Sequence, residues 1–124
     1  MYQFKPALPF TPGNEVAGIV SAVGEEVTNY KVGDEVIAMP PFGGYAEQII
    51  VTPGQASKKP ANMDFATAAC FSTTYGTSHY GLKDKAKLKE GETVLILGAS
   101  GGVGISGALF ASSGNFTTLT APLT

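Results

Sequence analysis

The chain has 124 residues, of which 44% are hydrophobic and 15% are charged. This balance is typical of a globular domain and excludes a disordered tail. The 8 Lys and Arg residues are outnumbered by 10 Asp and Glu residues, which gives a net charge of -2. Such a chain lacks the positive surface that phosphate backbones attract, so nucleic acid is excluded as an expected partner.

The cellular compartment is predicted from the cysteine content and from the lack of long apolar segments. A single cysteine, Cys70, cannot form an internal disulfide, which favours a reducing compartment. No segment approaches the roughly 18 consecutive apolar residues of a membrane helix. We therefore expect a cytoplasmic protein with no membrane association. Cys70 is expected to be a small buried hydrophobic residue, and His79 a helix-surface or interdomain residue.

The first half of the chain reads as short strands separated by turns. The 16 glycines and 8 prolines make up about a fifth of the chain, above average usage. Apolar runs bounded by Gly and Pro predict strands over residues 15–24, 34–39 and 44–52. This spacing indicates a small sandwich or barrel. We predict a β domain over residues 1–62.

The second half changes composition near Asn62 and reads as mixed helix and strand. Asn62 or Asp64 can cap a helix that runs in one or two pieces from Phe65 toward Tyr80. A charged surface loop follows over residues 83–92. The predicted elements after the loop are a strand over residues 93–97, a helix over 103–112 and a strand over 115–120. They would form one βαβ unit in a second domain, residues 63–124.

The stretch "LGASGGVG" connects that predicted strand to the helix after it. Gly98, Gly101 and Gly104 recur at a spacing of three, with Gly102 in addition, one residue longer than the common G-x-G-x-x-G pattern. Glycines here let the chain leave the strand sharply and bring bare N–H groups to a diphosphate at a helix N-terminus. A purely structural tight turn is the alternative. Because no Lys-Ser or Lys-Thr follows, the pattern is not a nucleoside triphosphate P-loop.

Four segments of the chain resemble a known family in order and spacing. They are "LPFTPGNEVAGIVSAVGEEVTNYKVGDEV", "GGYAEQIIV", "ATAACFSTTYGTSHYGL" and "LKEGETVLILGASGGVG". Together they resemble the quinone oxidoreductase, or zeta-crystallin-like, branch of the medium-chain dehydrogenases and reductases. The resemblance implies an α/β chain with a β-rich N-terminal part, in which a partial GroES-like β barrel is followed by the start of a Rossmann domain. It also implies NADPH as cofactor and hydride transfer to a quinone or an electron-poor alkene or carbonyl.

The resemblance also implies which residues form the site. Tyr2 stands where the family places a cleft tyrosine, whose phenol would donate to the acceptor oxygen, and Thr74 and Thr77 match the helix that faces the nicotinamide. No metal is expected, because the zinc-dependent branch has Gly-His-Glu where this chain has Gly13-Asn14-Glu15. The residues expected to bind the cofactor diphosphate are Gly98, Ala99, Ser100, Gly101, Gly102, Val103 and Gly104.

The chain departs from the family at both ends. The family has further residues before the position of Met1, and the match fades after Ile105, so the resemblance implies a fragment with little activity. The absence of an acidic residue past the glycines favours NADPH over NADH. The expected partners are a small-molecule electron acceptor, a quinone or an enone, and a second copy in a homodimer. An enoyl thioester reductase and a non-catalytic binding or interaction fragment are the alternative functions.

Overall fold

A computed structural model describes residues 5–121, and the chain divides into two compact units, residues 1–70 and 71–124. The first unit contains a three-stranded antiparallel sheet in the order β1-β2-β3. Val16 of β1 lies opposite Ala38 of β2, and Val36 of β2 lies opposite Lys58 of β3. The strands are β1 Val16–Ile19, β2 Glu35–Ala38 and β3 Ala56–Lys58.

The core of this sheet lies on its central strand. Ile37 and Ala38 of β2 are buried, at 6% and 2% exposure, whereas Ile19 at the end of β1 is 60% exposed. The predicted strand over 34–39 is therefore confirmed to within a residue at each end. The strand predicted over 15–24 is shorter than expected. Its pairing ends at Val20, which donates to the Asp34 carbonyl at 2.9 Å.

Residues 44–52 do not form the predicted strand, and this expectation was wrong. The amides of Gly44 and Tyr45 donate to the carbonyls of Gly13 and Pro12, at 2.8 and 2.9 Å, and so tie the start of the segment to a loop. Ile50 is 99% exposed. Alternating apolar residues form a strand only where a neighbouring strand accepts their backbone bonds. The third strand begins instead after a short 3-10 turn, Pro53–Gln55.

The sheet of the first unit does not close into a barrel. A hollow of about 690 Å³ lies against β1 and the extended segment after Gly44, lined by residues of this unit alone. The predicted fold class is nevertheless confirmed, since the unit is a partial, open form of a β barrel.

The helical region begins at a capped terminus and is divided into pieces, as predicted. Asp64 is the N-cap of α1, where its carboxylate accepts from the Thr67 amide at 2.8 Å and from the Thr67 hydroxyl at 2.7 Å. The helix is interrupted at Ala69 and Cys70 and then continues without a break through Gly76. The helical elements are α1 Phe65–Ala68, α2 Phe71–His79 and a π-helical segment Tyr80–Lys85.

The environment of Cys70 differs from the expectation. Cys70 is exposed, and its thiol donates to the Ala66 carbonyl at 3.2 Å. The interruption between the two helices leaves its side chain at the surface, so the prediction of a buried cysteine was wrong. His79 is exposed at the end of α2, with its ring edge-on to Phe110 at 5.4 Å between centroids. The surface position of His79 agrees with the prediction.

The second unit contains the predicted βαβ arrangement. Strands β4 and β5 are parallel, with Leu95 opposite Leu119. Helix α3 lies on one face of this pair, where a Cβ built on Gly107 would be 3.6 Å from the Ile96 side chain. The three elements are β4 Thr93–Leu97, α3 Gly102–Ser113 and β5 Thr117–Ala121. These elements form one βαβ unit, as the sequence pattern predicted.

One lysine in the first unit is almost fully buried. The Lys59 side chain is 4% exposed, and its ammonium lies 2.9 Å from the Glu35 carboxylate. The same ammonium donates to the carbonyls of Pro60 and Met63 and lies 5.1 Å from the centre of the Phe65 ring. These contacts fasten the segment after β3 to the sheet and to the start of α1.

Replacing Lys59 with Met should lower the free energy of unfolding by about 2 kcal/mol, because the Pro60 and Met63 carbonyls and the Glu35 carboxylate lose the ammonium that they share. Lys58→Met is the matched control, since the Lys58 side chain is 63% exposed and its loss should cost less than about 1 kcal/mol. Urea denaturation followed by circular dichroism measures both. Equal losses for the two variants would contradict a stabilising role for Lys59.

Two aspartates are stabilised in their charged form. The Lys31 amide donates to the Asp34 carboxylate at 3.1 Å and lowers the pKa of Asp34 below its ordinary value of 3.8, and the Lys31 and Lys58 ammonium groups lower it further. The Thr67 amide and hydroxyl lower the pKa of Asp64 in the same way. A depressed native pKa stabilises the fold above the unfolded pKa, and this contribution is lost as the pH falls through the native value.

The free energy of unfolding should therefore decrease as the pH falls below about 4, where these carboxylates gain protons. Asp34→Asn and Asp64→Asn should each lower the free energy of unfolding at pH 7 and make its decrease at acidic pH less steep. Urea titrations between pH 2.5 and pH 7 measure the slope. If the free energy of unfolding decreases as steeply with pH in both variants as in the wild-type chain, other groups determine this pH dependence.

Candidate functional site

The glycine turn between β4 and α3 begins with a left-handed residue. Gly98 has a φ of +70°, a conformation that side chains disfavour, and its amide still donates to the Ala121 carbonyl of β5 at 3.0 Å. The Gly101 amide then donates to the Gly98 carbonyl at 3.1 Å. Gly101 is the N-cap of α3, and its own carbonyl accepts from the Ile105 amide at 2.8 Å. The chain thus leaves the strand and enters the helix within a few residues.

The first residues of α3 present open backbone donors. The N–H groups of Gly102, Val103 and Gly104 precede the first intrahelical bond, and within residues 5–121 they have no hydrogen-bond acceptor. Gly102 and Val103 are exposed, and Gly104 is half-buried. The positive end of the helix dipole lies at the same place. This arrangement suits an anionic group such as a phosphate.

The last glycine of the turn allows a backbone approach that no other residue permits. A Cβ at Gly104 would overlap the Gly98 carbonyl oxygen and lie 2.8 Å from the Ala99 Cα atom. At Gly101 the nearest atom to such a Cβ is 3.6 Å away, which is ordinary contact. Gly104 is therefore the position where the backbone at the start of α3 packs against the backbone of the turn.

Thr74 is brought to the glycine turn by the packing of α2 against α3. A Cβ at Gly102 would lie 2.9 Å from the Thr74 methyl group. The Thr74 hydroxyl lies 3.4 Å from the Phe71 carbonyl of its own helix. Thr77 lies one turn further along α2 and is exposed. The structure thus places one of the two predicted threonines against the glycines, and Tyr2 lies outside the described residues.

Two serines that the sequence analysis did not single out lie between these helices. Ser78 of α2 is 6% exposed and Ser106 of α3 is 1% exposed, and their hydroxyl oxygens are 2.7 Å apart. The only sequence signal was a pair of small polar residues at positions of the two helices where apolar residues would be expected. Nothing in the local pattern indicates that they meet.

The electrostatics of the site come from the backbone. No charged residue follows Glu92 in the sequence, so the glycine turn and α3 carry no charged side chain of their own, and the charged side chains of the second unit lie within residues 83–92. Within the described part of the chain, no group of three or more His, Cys, Asp or Glu residues is arranged to hold a metal ion. The donor set of the site is therefore suited to an anion and not to a metal.

Comparisons with known proteins identify the class of the first unit. Residues 1–61 match the alcohol dehydrogenase GroES-like domain. The chain is 41% identical to quinone oxidoreductase from Lama guanicoe over 119 residues, which is 95% of this chain and 36% of that protein.

Solved structures of the same class match both units. Quinone oxidoreductase of Escherichia coli complexed with NADPH has a TM-score of 0.91 at 31% identity, covering 98% of this chain and 38% of that one. The CurK enoyl reductase has a TM-score of 0.83 at 39% identity, covering 90% of this chain and 33% of that one.

The fold and the matches define a medium-chain dehydrogenase/reductase with a GroES-like domain followed by the start of a Rossmann domain. Within that class, the chain is similar to curated quinone oxidoreductases at about 40% identity, and the solved structures that match it include both quinone oxidoreductases and enoyl reductases. It spans about a third of the length of the curated relatives that it matches. Among residues 5–121, no helix has the length and apolar character needed to cross a membrane.

The contact between Gly102 and Thr74 gives a direct test of the site geometry. Gly102→Ala should lower the free energy of unfolding by about 1 to 2 kcal/mol, because the added methyl group meets the Thr74 methyl group. The same change in a Thr74→Ser background should cost nothing, since serine lacks that methyl group. Urea denaturation of the four chains gives the coupling energy, with Gly101→Ala as the control. A coupling energy near zero would contradict this contact.

Proposed function

We propose that this chain binds NADPH through the glycine turn and that it derives from an oxidoreductase that reduces a quinone or a related acceptor. The observation that carries the proposal is the set of three open amides at a helix start lined by glycines. Family membership supports it, because a relative with the same fold has been solved with NADPH. Neither the glycine turn nor α3 carries a charged side chain that would compete for the site.

The proposed roles follow from the position of each residue. The amides of Gly102, Val103 and Gly104 would donate to the diphosphate, with the helix dipole adding to the attraction. The glycines would keep side chains away from the ligand, as would the small residues Ala99 and Ser100. When bound, the reduced nicotinamide supplies the hydride. Thr74 and Thr77 would hold the nicotinamide carboxamide through their hydroxyl groups.

The acceptor is proposed to be reduced without a metal. Asn14 stands where the zinc-dependent branch has a histidine ligand, and an amide is a poor ligand for zinc. Polarisation of the acceptor oxygen would then depend on hydrogen-bond donors, and we propose the Tyr2 phenol for this role. A quinone or an enone fits this chemistry. The cytoplasmic location and the homodimer remain predictions.

An enoyl thioester reductase is the second candidate, and the similarity to the CurK enoyl reductase favours it. Both candidates use the same cofactor site, so they differ only in the acceptor. Oxidation of NADPH by the chain in the presence of a quinone or of a crotonyl thioester separates them. A non-catalytic interaction fragment would oxidise NADPH with neither acceptor.

Titration of the chain with NADPH should give a saturable change in nicotinamide fluorescence. Gly104→Ala should raise the dissociation constant at least tenfold, because its methyl group forces the start of α3 away from the turn. Gly107→Ala is the matched control, since a Cβ there lies 3.6 Å from its nearest neighbour and should change the dissociation constant less than twofold.

The absence of any saturable change in the wild-type chain would overturn the proposal and favour the interaction fragment. Equal weakening by the two alanine variants would show that helix α3, and not the approach at Gly104, determines the affinity. Circular dichroism at the titration temperature checks that each variant is folded.

A further inference from the structure

The Ser78 and Ser106 hydroxyl groups form a reciprocal bridge between α2 and α3. The Ser78 hydroxyl lies 2.7 Å from the Val103 carbonyl of α3, and the Ser106 hydroxyl lies 3.0 Å from the Thr74 carbonyl of α2. Each serine therefore contacts a backbone carbonyl of the opposite helix, and that carbonyl lies about one turn before the other serine. Both hydroxyl groups are buried, so water is a poor substitute for either bond.

The Val103 carbonyl lies within hydrogen-bond distance of both serine hydroxyl groups. The Ser106 hydroxyl also lies 3.0 Å from this carbonyl, in addition to the Ser78 hydroxyl at 2.7 Å. Each serine hydroxyl has a single proton, so the two serines donate two hydrogen bonds at a time among the Val103 carbonyl, the Thr74 carbonyl and each other. When Ser78 donates to the Val103 carbonyl and Ser106 donates to the Thr74 carbonyl, the Val103 carbonyl has a hydrogen-bond partner on the neighbouring helix that an ordinary helical carbonyl lacks.

Fixing the Val103 carbonyl also fixes an open donor. The peptide unit is planar and trans, so the Gly104 N–H points opposite to the Val103 carbonyl of the same unit. That N–H is one of the three open amides at the start of α3. The serines therefore contact the carbonyl side of the peptide between Val103 and Gly104, and the N–H on the other side of that peptide is the open donor.

The bridge also fixes Thr74 relative to the glycines. The Thr74 carbonyl is bonded by Ser106 from the neighbouring helix, while the Thr74 methyl group faces Gly102. The two parts of the proposed NADPH site, the amides and Thr74, are thus connected through two buried hydroxyl groups.

We infer that Ser78 and Ser106 are positioning residues that aim the Gly104 amide and hold Thr74 at the proposed dinucleotide site, an inference that rests on the proposed NADPH binding. Neither serine contacts the ligand position itself, because both are buried between the helices. Their effect on binding passes through the Val103 and Thr74 carbonyls.

The test uses the full 124-residue chain and two readouts. In the first, ¹H–¹⁵N spectra and N–H residual dipolar couplings of the ligand-free chain report the direction of the Gly104 amide. Ser78→Ala and Ser106→Ala should change the Gly104 coupling. The control is Ser112→Ala, on the same helix, whose exposed hydroxyl donates to the Ala108 carbonyl at 2.7 Å and whose loss should leave that coupling unchanged.

In the second readout, fluorescence titration gives the dissociation constant for NADPH. Ser78→Ala and Ser106→Ala should each raise it about tenfold, and Ser112→Ala should change it less than twofold. If Ser106→Ala does not fold, Ser78→Ala decides alone, since the Ser106 hydroxyl still bridges the helices in that variant.

The outcomes separate this inference from the proposed function. An unchanged Gly104 coupling in a folded Ser78→Ala chain overturns the positioning role, whether or not NADPH binds. A changed coupling together with a dissociation constant within twofold of wild type also overturns it. A wild-type chain that does not bind NADPH overturns the proposed function, while the ligand-free coupling still decides whether the serines aim the amide.

Discussion

The missing side chain at Gly104 is the constraint on which the second unit depends. Without a Cβ, the first turn of α3 packs directly on the backbone of Gly98 and Ala99, and any larger residue would overlap that backbone. The approach joins the end of β4 to the helix over a very short turn. It also leaves the first amides of the helix open at the surface of the unit. One steric fact therefore underlies both the packing of the βαβ unit and the donor set that we propose for NADPH.

The contact between α2 and α3 supports that arrangement with polar groups. The buried side chains of these helices are small, and the largest fully buried one in the described residues is Ser106. Small side chains allow the helices to approach closely, and the two hydroxyl groups then lie within hydrogen-bond distance of each other and of two backbone carbonyls. A network of this kind is directional, whereas an apolar contact is not. The network can therefore fix the direction of the Gly104 amide as well as hold the two helices together.

The sequence predicted the second unit better than the first. The strand over 93–97, the helix after the glycines and the parallel return strand were all recovered, because β-branched runs and glycine turns act locally. The N-cap at Asp64 was also among the predicted candidates. The strand over 44–52 was not recovered, because its apolar alternation says nothing about whether a partner strand is present. The surface position of Cys70 was missed for a similar reason, since it depends on where the helix is interrupted.

The candidate site was predicted in part. Glycine spacing and the resemblance identified the turn, and packing then placed Thr74 against Gly102. Ser78 and Ser106 were not predicted, since they are 28 residues apart and meet only through the packing of two helices. The central claim is that the open amides of α3 bind the diphosphate. Mapping backbone amide shifts during a titration with NADPH tests it most directly: the account predicts the largest changes at Gly102, Val103 and Gly104. Changes confined to residues of the first unit would contradict it.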